Sequence, residues 1–173
     1  MRLQPRPHRP HLPPGVYLAG LAIWLGFGCQ SAPASLTEEH AAAIRDSVAA
    51  AMQEFRDLGT AADWESVGDF YSESPNFRFY ENGALQYRSA ADVRTALGAF
   101  PPETRIRTDY RDTDVVSLAP GLAHVRARFE STFTSPDGSA FGFGGAVTMI
   151  WAHETGGWRI LSGHSSAPVP RGG

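Results

Sequence analysis

Four long segments of alternating apolar and polar residues occupy the second half of the chain and constrain its fold more than any other feature. Turns that contain glycine or proline separate them at 119–121, 135–138 and 155–157. Such residues supply the backbone angles that a chain reversal needs, so we predict antiparallel strands over 105–118, 122–134, 139–153 and 158–166. At about 9 to 15 residues they exceed the usual five or six, so the sheet must curve and leave a concave face.

Helical periodicity dominates the part of the chain before these strands. Ser35 and Glu38 have the spacing of a capping box and open a first helix that Gly59 is expected to end. Further helices are predicted over 60–71 and, capped by Ser89, over 89–97. Asn82-Gly83 lies between two alternating runs and predicts a β-hairpin. We therefore expect an α+β domain over 35–167, in which three helices from the N-terminal half pack on the concave side of a strongly curved, mostly antiparallel sheet.

The first 28 residues are typical of a secretory signal. Residues 16–28 form an uninterrupted apolar run after a basic, proline-rich stretch, and this run is shorter than the roughly 20 residues that cross a membrane. Cys29 follows directly and resembles the acylated cysteine of bacterial lipoproteins. We favour lipidation of Cys29, with 29–34 as a tether and a periplasmic, membrane-anchored domain. The alternative is cleavage after Ala34, which removes Cys29 and leaves a soluble exported protein.

Composition excludes several partners. The 15 basic residues are all Arg, and three of them precede Cys29, so the remaining 12 face 18 acidic residues and give a net charge of −6. Nucleic acids and anionic membrane surfaces need clustered positive charge, so we expect no nucleic acid, and membrane contact only through a lipid at Cys29. No cofactor or metal is expected, because His124, His153 and His164 lack the close spacing of metal ligands. Residues 168–173 are predicted to be a disordered tail.

The last strand contains His164 and Ser166, which resemble a catalytic fragment. By alternation they share a face with Trp158 and Ile160, and a face with two large apolar residues is expected to point inward. No nucleophile-elbow sequence and no suitably spaced acid accompanies them. Three roles therefore stay open for His164: a hydrogen-bonded structural histidine, a ligand contact, or a catalytic group.

Aromatic residues are too numerous to lie only on the surface. Core packing explains most of them, but a concave wall of aromatic side chains with a few hydroxyls also suits an apolar ligand. The residues predicted to line such a pocket are Trp64, Tyr71, Phe79, Tyr110, Phe129, His164 and Ser166.

The order of elements, together with the segments DWESVGDFYSESPNFRFYENG, TMIW and GGWRILSGHSS, resembles the nuclear transport factor 2-like superfamily and its SnoaL-like and kinase-association-domain-like bacterial branch. The resemblance implies a cone-shaped roll and a homodimer formed through the sheet. Many enzymes of this type place an acidic base on the strand before the hairpin turn, a place that falls here on Phe79 or Tyr80. Neither side chain is suited to that role, and we expect the adjacent Glu81 to point to solvent.

Three functions follow as hypotheses. The first is binding of a small apolar molecule in the cone. The second is an isomerase-, dehydratase- or cyclase-type enzyme that uses His164 with Tyr71 or Tyr110. The third is a non-catalytic dimerisation module.

Overall fold

The structure is a computed structural model that describes residues 36–168. Six strands form one curved, unclosed sheet in the order β2-β1-β6-β5-β4-β3, in which neighbours are antiparallel except for β1 and β6. The predicted α+β class, with helices in the N-terminal half, is confirmed. The elements are α1 (Glu38–Ala61), α2 (Trp64–Gly68), β1 (Arg78–Glu81), β2 (Ala84–Tyr87), α3 (Ala90–Gly98), β3 (Arg105–Ala119), β4 (Leu122–Thr134), β5 (Ala140–Glu154) and β6 (Gly157–Ser166).

The predictions for 1–28, for the tether and for Cys29 fall outside the described residues, as does most of the predicted tail. Among the residues that are described, no helix is long and apolar enough to cross a membrane.

Helix α1 differs from its predicted bounds at both ends. It is capped by Thr37, whose side chain accepts a hydrogen bond from the His40 amide, and so it begins later than the Ser35 pattern indicates. It also continues past Gly59 and ends where Ala62 adopts a left-handed conformation with φ 64°. Gly59 is instead a buried residue of the helix. A Cβ at this position would lie 3.2 Å from the Ile106 carbonyl oxygen, which is a tight contact. The glycine allows α1 to approach β3.

The hairpin and the third helix follow their sequence signals closely. Asn82 and Gly83 have φ values of 49° and 84°, as a tight turn between β1 and β2 requires. Ser89 caps α3 and forms a complete capping box with Asp92.

A bulge in β6 changes which side chains reach the core. Ile150 of β5 pairs with Ser162, but the next residue, Trp151, pairs with Ile160, which leaves Leu161 as an extra residue. An extra residue shifts the alternation of a strand by one position. Trp158 and Ile160 are buried before the bulge, whereas Gly163 is buried after it.

The prediction that His164 and Ser166 point inward is therefore wrong. His164 pairs with Thr148 on β5 and with Tyr80 on β1, and all three side chains are exposed on the outer face of the sheet. Ser166 lies two residues further along the same face.

The core fills the space between the inner face of the sheet and the helices. Phe79 on β1 packs directly over Gly163 on β6, where a Cβ would overlap the Phe79 ring. The parallel pairing of β1 with β6 thus depends on a glycine. The buried apolar residues that form one connected cluster are Val48, Met52, Phe70, Phe77, Phe79, Val93, Ala123, Val125, Ala127, Val147, Met149, Trp151, Trp158 and Ile160.

Replacing Gly163 tests the packing of β1 on β6. We expect Gly163→Ala to lower the free energy of unfolding by about 1–3 kcal/mol, the usual cost of overpacking a core, as measured by urea denaturation. Gly142→Ala is the matched control, because Gly142 is also in a strand and its nearest neighbouring atom, the Ser131 carbonyl oxygen, would lie 3.9 Å from the new Cβ. Equal stabilities of the two variants would contradict the prediction.

Candidate ligand site

Tyr71 is held on the inner face of the sheet by a short backbone bridge. The Ile160 amide donates to the Phe70 carbonyl at 2.7 Å, and the Ser72 amide donates to the Ile160 carbonyl at 3.0 Å. This bridge fixes the segment after α2 against β6 beside the bulge. The Tyr71 ring then meets three phenylalanine rings edge-on, with centroids 5.9–6.4 Å away: Phe55, Phe77 and Phe79.

Three further polar residues lie on this face, and we call Tyr71, Glu81, Tyr87 and Tyr110 the inner polar cluster. Tyr110 belongs to β3 and Tyr87 to β2, opposite Phe79. Glu81 ends β1 two residues after Phe79, so alternation directs it inward, and it is partly buried. The prediction that Glu81 points to solvent is wrong, because the turn begins only at Asn82.

The surroundings of the cluster favour the protonated form of every member. Burial raises the pKa of Tyr71, and the charges of Tyr110, Tyr87 and Glu81 raise it further. Burial raises the pKa of Tyr110 to about 12, against a smaller opposite effect of Arg56. At neutral pH both phenols are therefore hydrogen-bond donors.

Glu81 and Tyr87 are perturbed in the same direction. Burial raises the pKa of the Glu81 carboxyl. Burial raises the pKa of Tyr87, and the charge of Glu81 raises it further. A hydrogen bond with the side chain of Gln86 partly offsets this increase. Perturbed titratable groups that share one environment are typical of functional sites.

Tyr71, Tyr87 and Tyr110 pack against the core but remain partly accessible. Among the described residues, no hydrogen bond to the hydroxyl of Tyr71 or Tyr110 contributes to its pKa. Within the part of the chain that the structure describes, the enclosed side-chain polar atoms without a partner are Thr104 Oγ1 and Trp151 Nε1, and neither tyrosine hydroxyl is one of them.

The structure brings together only part of the predicted pocket. Tyr71, Phe79 and Tyr110 meet on the inner face, with Phe79 buried. Phe129 lies farther along β4 against Phe143, with ring centroids 6.2 Å apart. Ser166 and Phe129 line a separate open cavity, whereas Trp64 and His164 lie elsewhere.

Trp64 has a structural environment at the start of β3. Its indole nitrogen donates to the Thr104 carbonyl at 3.1 Å, and its ring packs edge-on against Phe100. These contacts account for the residue without a ligand.

Among the open cavities that the described residues line, two of the larger ones have no member of the inner polar cluster in their lining. One, of about 710 Å³, lies beside the start of β5 and the end of β6. The other, of about 650 Å³, lies between α1 and the 120–121 turn, with His40 and His153 in its lining. Among the residues that the structure describes, no three His, Cys, Asp or Glu side chains are grouped closely enough to hold a metal ion.

Comparison with known proteins identifies the family. The family model of the SnoaL-like domain matches residues 48–170. The chain belongs to the SnoaL-like domain family. No curated protein sequence matches this SnoaL-like chain.

Solved structures show that the SnoaL-like domain has the fold of nuclear transport factor 2-like proteins. A nuclear transport factor 2-like protein of unknown function from Shewanella oneidensis superposes with a TM-score of 0.58 at 14% identity, covering 71% of this chain and 98% of that one. A protein from Xanthomonas campestris, provisionally named a calcium/calmodulin dependent protein kinase II association domain, gives 0.60 at 17%, with coverage of 86% and 99%. One from Novosphingobium aromaticivorans, provisionally named a scytalone dehydratase, gives 0.64 at 9%, with coverage of 74% and 86%.

Sequence reasoning missed Glu81 and Tyr87 as members of the SnoaL-like domain's inner polar cluster. The period of two that starts at Phe77 and continues through Phe79 already places Glu81 on the inner face. Tyr87 had no comparable signal, because its position follows from the pairing of β1 with β2.

The raised pKa of Glu81 predicts a pH-dependent stability. The pKa of Glu81 is higher in the folded chain than in the unfolded chain, where it is near 4.5. The folded chain therefore keeps this proton to a higher pH. The stability of the wild-type protein therefore falls as pH rises through the window between those two values, and it stays lower above it. We expect Glu81→Gln to match the wild type below pH 4 and to exceed it at pH 7, as measured by thermal unfolding.

Glu130→Gln removes a carboxylate that is exposed on the outer face and paired with Arg111 at 3.0 Å, so it controls for the loss of one charge. A wild-type protein more stable than Glu81→Gln at pH 7 would contradict the assigned environment.

Proposed function

We propose that the domain binds a small, largely apolar molecule that carries a hydrogen-bonding oxygen on the inner face of its sheet. One observation supports the proposal: the protonated hydroxyls of Tyr71 and Tyr110 lie against the apolar core, and no hydrogen bond from either to a described residue shifts its pKa. A ligand oxygen between them would accept a hydrogen bond from each.

The walls around these hydroxyls determine the rest of the ligand. Phe55, Phe77 and Phe79 present ring edges and faces around Tyr71, and Val115 and Phe129 extend the apolar surface on β3 and β4. Pockets of this composition bind ligands mainly through apolar contact and orient them with a few polar groups. A flat or aromatic body with one carbonyl or hydroxyl fits this description.

Proton transfer is the second candidate, and the placement of Glu81 favours it. A half-buried carboxyl with a raised pKa is suited to general acid–base catalysis near neutral pH, and the two phenols are suited to stabilising a developing oxyanion. This assignment replaces the enzyme hypothesis based on His164, whose side chain lies on the opposite face. An isomerase or dehydratase would use this arrangement, with Glu81 as the base.

Removal of single hydroxyls tests the binding proposal. The full chain is purified and analysed by native mass spectrometry for a co-purifying molecule, whose affinity is then measured by calorimetry. We expect Tyr71→Phe and Tyr110→Phe each to weaken binding about two- to tenfold, because one hydrogen bond contributes roughly 0.5–1.5 kcal/mol. His164→Ala, on the outer face, is the control and should bind normally. Affinity unchanged in both Phe variants would refute the assignment of the site.

The co-purifying ligand also allows binding to be distinguished from catalysis. If the domain is an enzyme, Glu81→Gln should slow turnover or solvent-proton exchange of the ligand by about 10²–10⁴-fold while binding persists. If the domain only binds the ligand, neither the wild type nor Glu81→Gln should convert it. The third hypothesis, a dimerisation module, requires that no ligand is found at all.

We also propose that the domain is exported and anchored by a lipid on Cys29, on the basis of the apolar run at 16–28 and the single cysteine that follows it. Intact-mass analysis of the mature protein should show a lipid-sized increment that Cys29→Ser abolishes. A mature chain that begins after Ala34 would instead support the soluble alternative. Homodimerisation through the sheet stays a prediction, which sedimentation of the purified chain can test.

A further inference from the structure

The hairpin between β5 and β6 holds the segment after α2 by more than the backbone bridge at Ile160. The Ser72 hydroxyl donates a hydrogen bond to the Glu154 carboxylate at 2.5 Å, and it accepts one from the Ser74 amide at 3.1 Å. Glu154 is the last residue of β5, so its contact with Ser72 joins positions that are 82 residues apart in sequence. The hairpin and the segment are therefore connected through side chains as well as through the backbone.

The enclosed position of Ser72 makes this partner important. Ser72 is 0% exposed, and a buried hydroxyl that loses its acceptor costs stability. A charged carboxylate is a stronger acceptor than a neutral oxygen, and the separation of 2.5 Å is in the range of hydrogen bonds from a hydroxyl to such a group. Glu154 is therefore a strong and specific anchor for Ser72.

A second residue of the same hairpin contacts the other neighbour of Tyr71. The Arg159 guanidinium lies 5.7 Å from the centroid of the Phe70 ring, within the range of a cation–π contact. Arg159 is itself held in place because it donates a hydrogen bond to the Gly156 carbonyl at 3.1 Å. Phe70 and Ser72, which flank Tyr71 in the chain, are thus both held by the hairpin.

The contacts of Tyr71 itself are less restrictive. Its ring meets Phe55, Phe77 and Phe79 edge-on, with centroids 5.9–6.4 Å away. Apolar contact is not directional, so these rings tolerate small shifts of the tyrosine. Hydrogen bonds depend steeply on distance and angle, so the anchored neighbour Ser72 fixes the backbone from which the Tyr71 side chain extends.

We propose that Glu154 is a positioning residue for the ligand site: it holds Ser72, and through Ser72 it determines where the Tyr71 hydroxyl lies on the inner face. The role of that hydroxyl in binding a ligand rests on the proposed function. Glu154 is not a member of the inner polar cluster, and it lies at the hairpin end of β5. Its effect on a ligand is therefore transmitted through Ser72 and Tyr71.

Fluorine NMR of the full chain labelled with meta-fluorotyrosine reports on the surroundings of Tyr71 without any ligand. The Tyr71 signal is assigned by its loss in Tyr71→Phe. In Glu154→Leu, which has a side chain of similar size but no acceptor, we expect this signal to shift or broaden. The signal of Tyr80, which is exposed on the outer face, should stay in place.

Two further substitutions distinguish the lost hydrogen bond from other effects. Glu154→Gln keeps an oxygen that accepts from Ser72, so it should restore the wild-type Tyr71 signal. Glu130→Leu is the control for the loss of a carboxylate from a strand, because Glu130 is exposed on the outer face of β4. It should leave the Tyr71 signal unchanged.

The route through Ser72 is tested by a double-mutant cycle. Ser72→Ala removes the donor and should change the Tyr71 signal as much as Glu154→Leu does. The double variant should add nothing to either single change, because two residues that act through one contact are not additive. Circular dichroism checks that each variant is folded, and Ser72→Ala tests the proposal by itself if Glu154→Leu does not fold.

A Tyr71 signal that changes equally in Glu154→Leu and Ser72→Ala, and that Glu154→Gln restores, supports the proposal. An unchanged Tyr71 signal in either folded variant, additive changes in the double variant, or a Glu154→Gln signal like that of Glu154→Leu overturns it. A change as large in Glu130→Leu overturns it as well. These measurements use no ligand, so failure of the proposed function would leave the positioning of Tyr71 by Glu154 intact.

Discussion

The contact between the segment after α2 and the bulged part of β6 determines most of what the interior of this domain presents. Phe70 and Ser72 bond to both backbone groups of Ile160, one residue before the extra residue Leu161. The bridge places Tyr71 inside, and the bulge directs Gly163 rather than His164 inward. Gly163 in turn leaves room for Phe79, which brings β1 and its terminal Glu81 to the same face. One local irregularity thus selects which polar groups line the site.

Local signals were sufficient for the strands, the hairpin and α3, because the residues that form them are adjacent in sequence. Turn glycines and prolines marked the strand ends to within a residue or two, and Asn82-Gly83 marked the hairpin. The orientation of His164 could not be read in this way. Leu161 is an ordinary strand residue, and only its pairing with the neighbouring strand shows that it is extra. A period of two extrapolated from Trp158 therefore gave the wrong face.

The candidate site was predictable in its aromatic part and not in its acid. Tyr71, Phe79 and Tyr110 were selected as aromatic residues of a concave face, and they meet there. Glu81 was assigned to solvent because it borders a turn, yet the turn begins one residue later. Trp64 was misplaced for a different reason: its hydrogen bond to Thr104 joins segments 40 residues apart, which no local pattern reveals.

The two faces of the sheet carry different polar groups, because water solvates the outer face and only partly reaches the inner one. The outer face carries ion pairs between exposed strands, such as Arg111 with Glu130 and Arg128 with Asp112, and exposed pairs of this kind add little stability. The inner face carries fewer polar groups. Thr108 and Ser131 are hydrogen-bonded to each other there at 2.8 Å, whereas the members of the inner polar cluster are partly buried and have pKa values that burial raises. Because burying a polar group without a hydrogen bond costs stability, a ligand of the proposed kind would stabilise this face by supplying one.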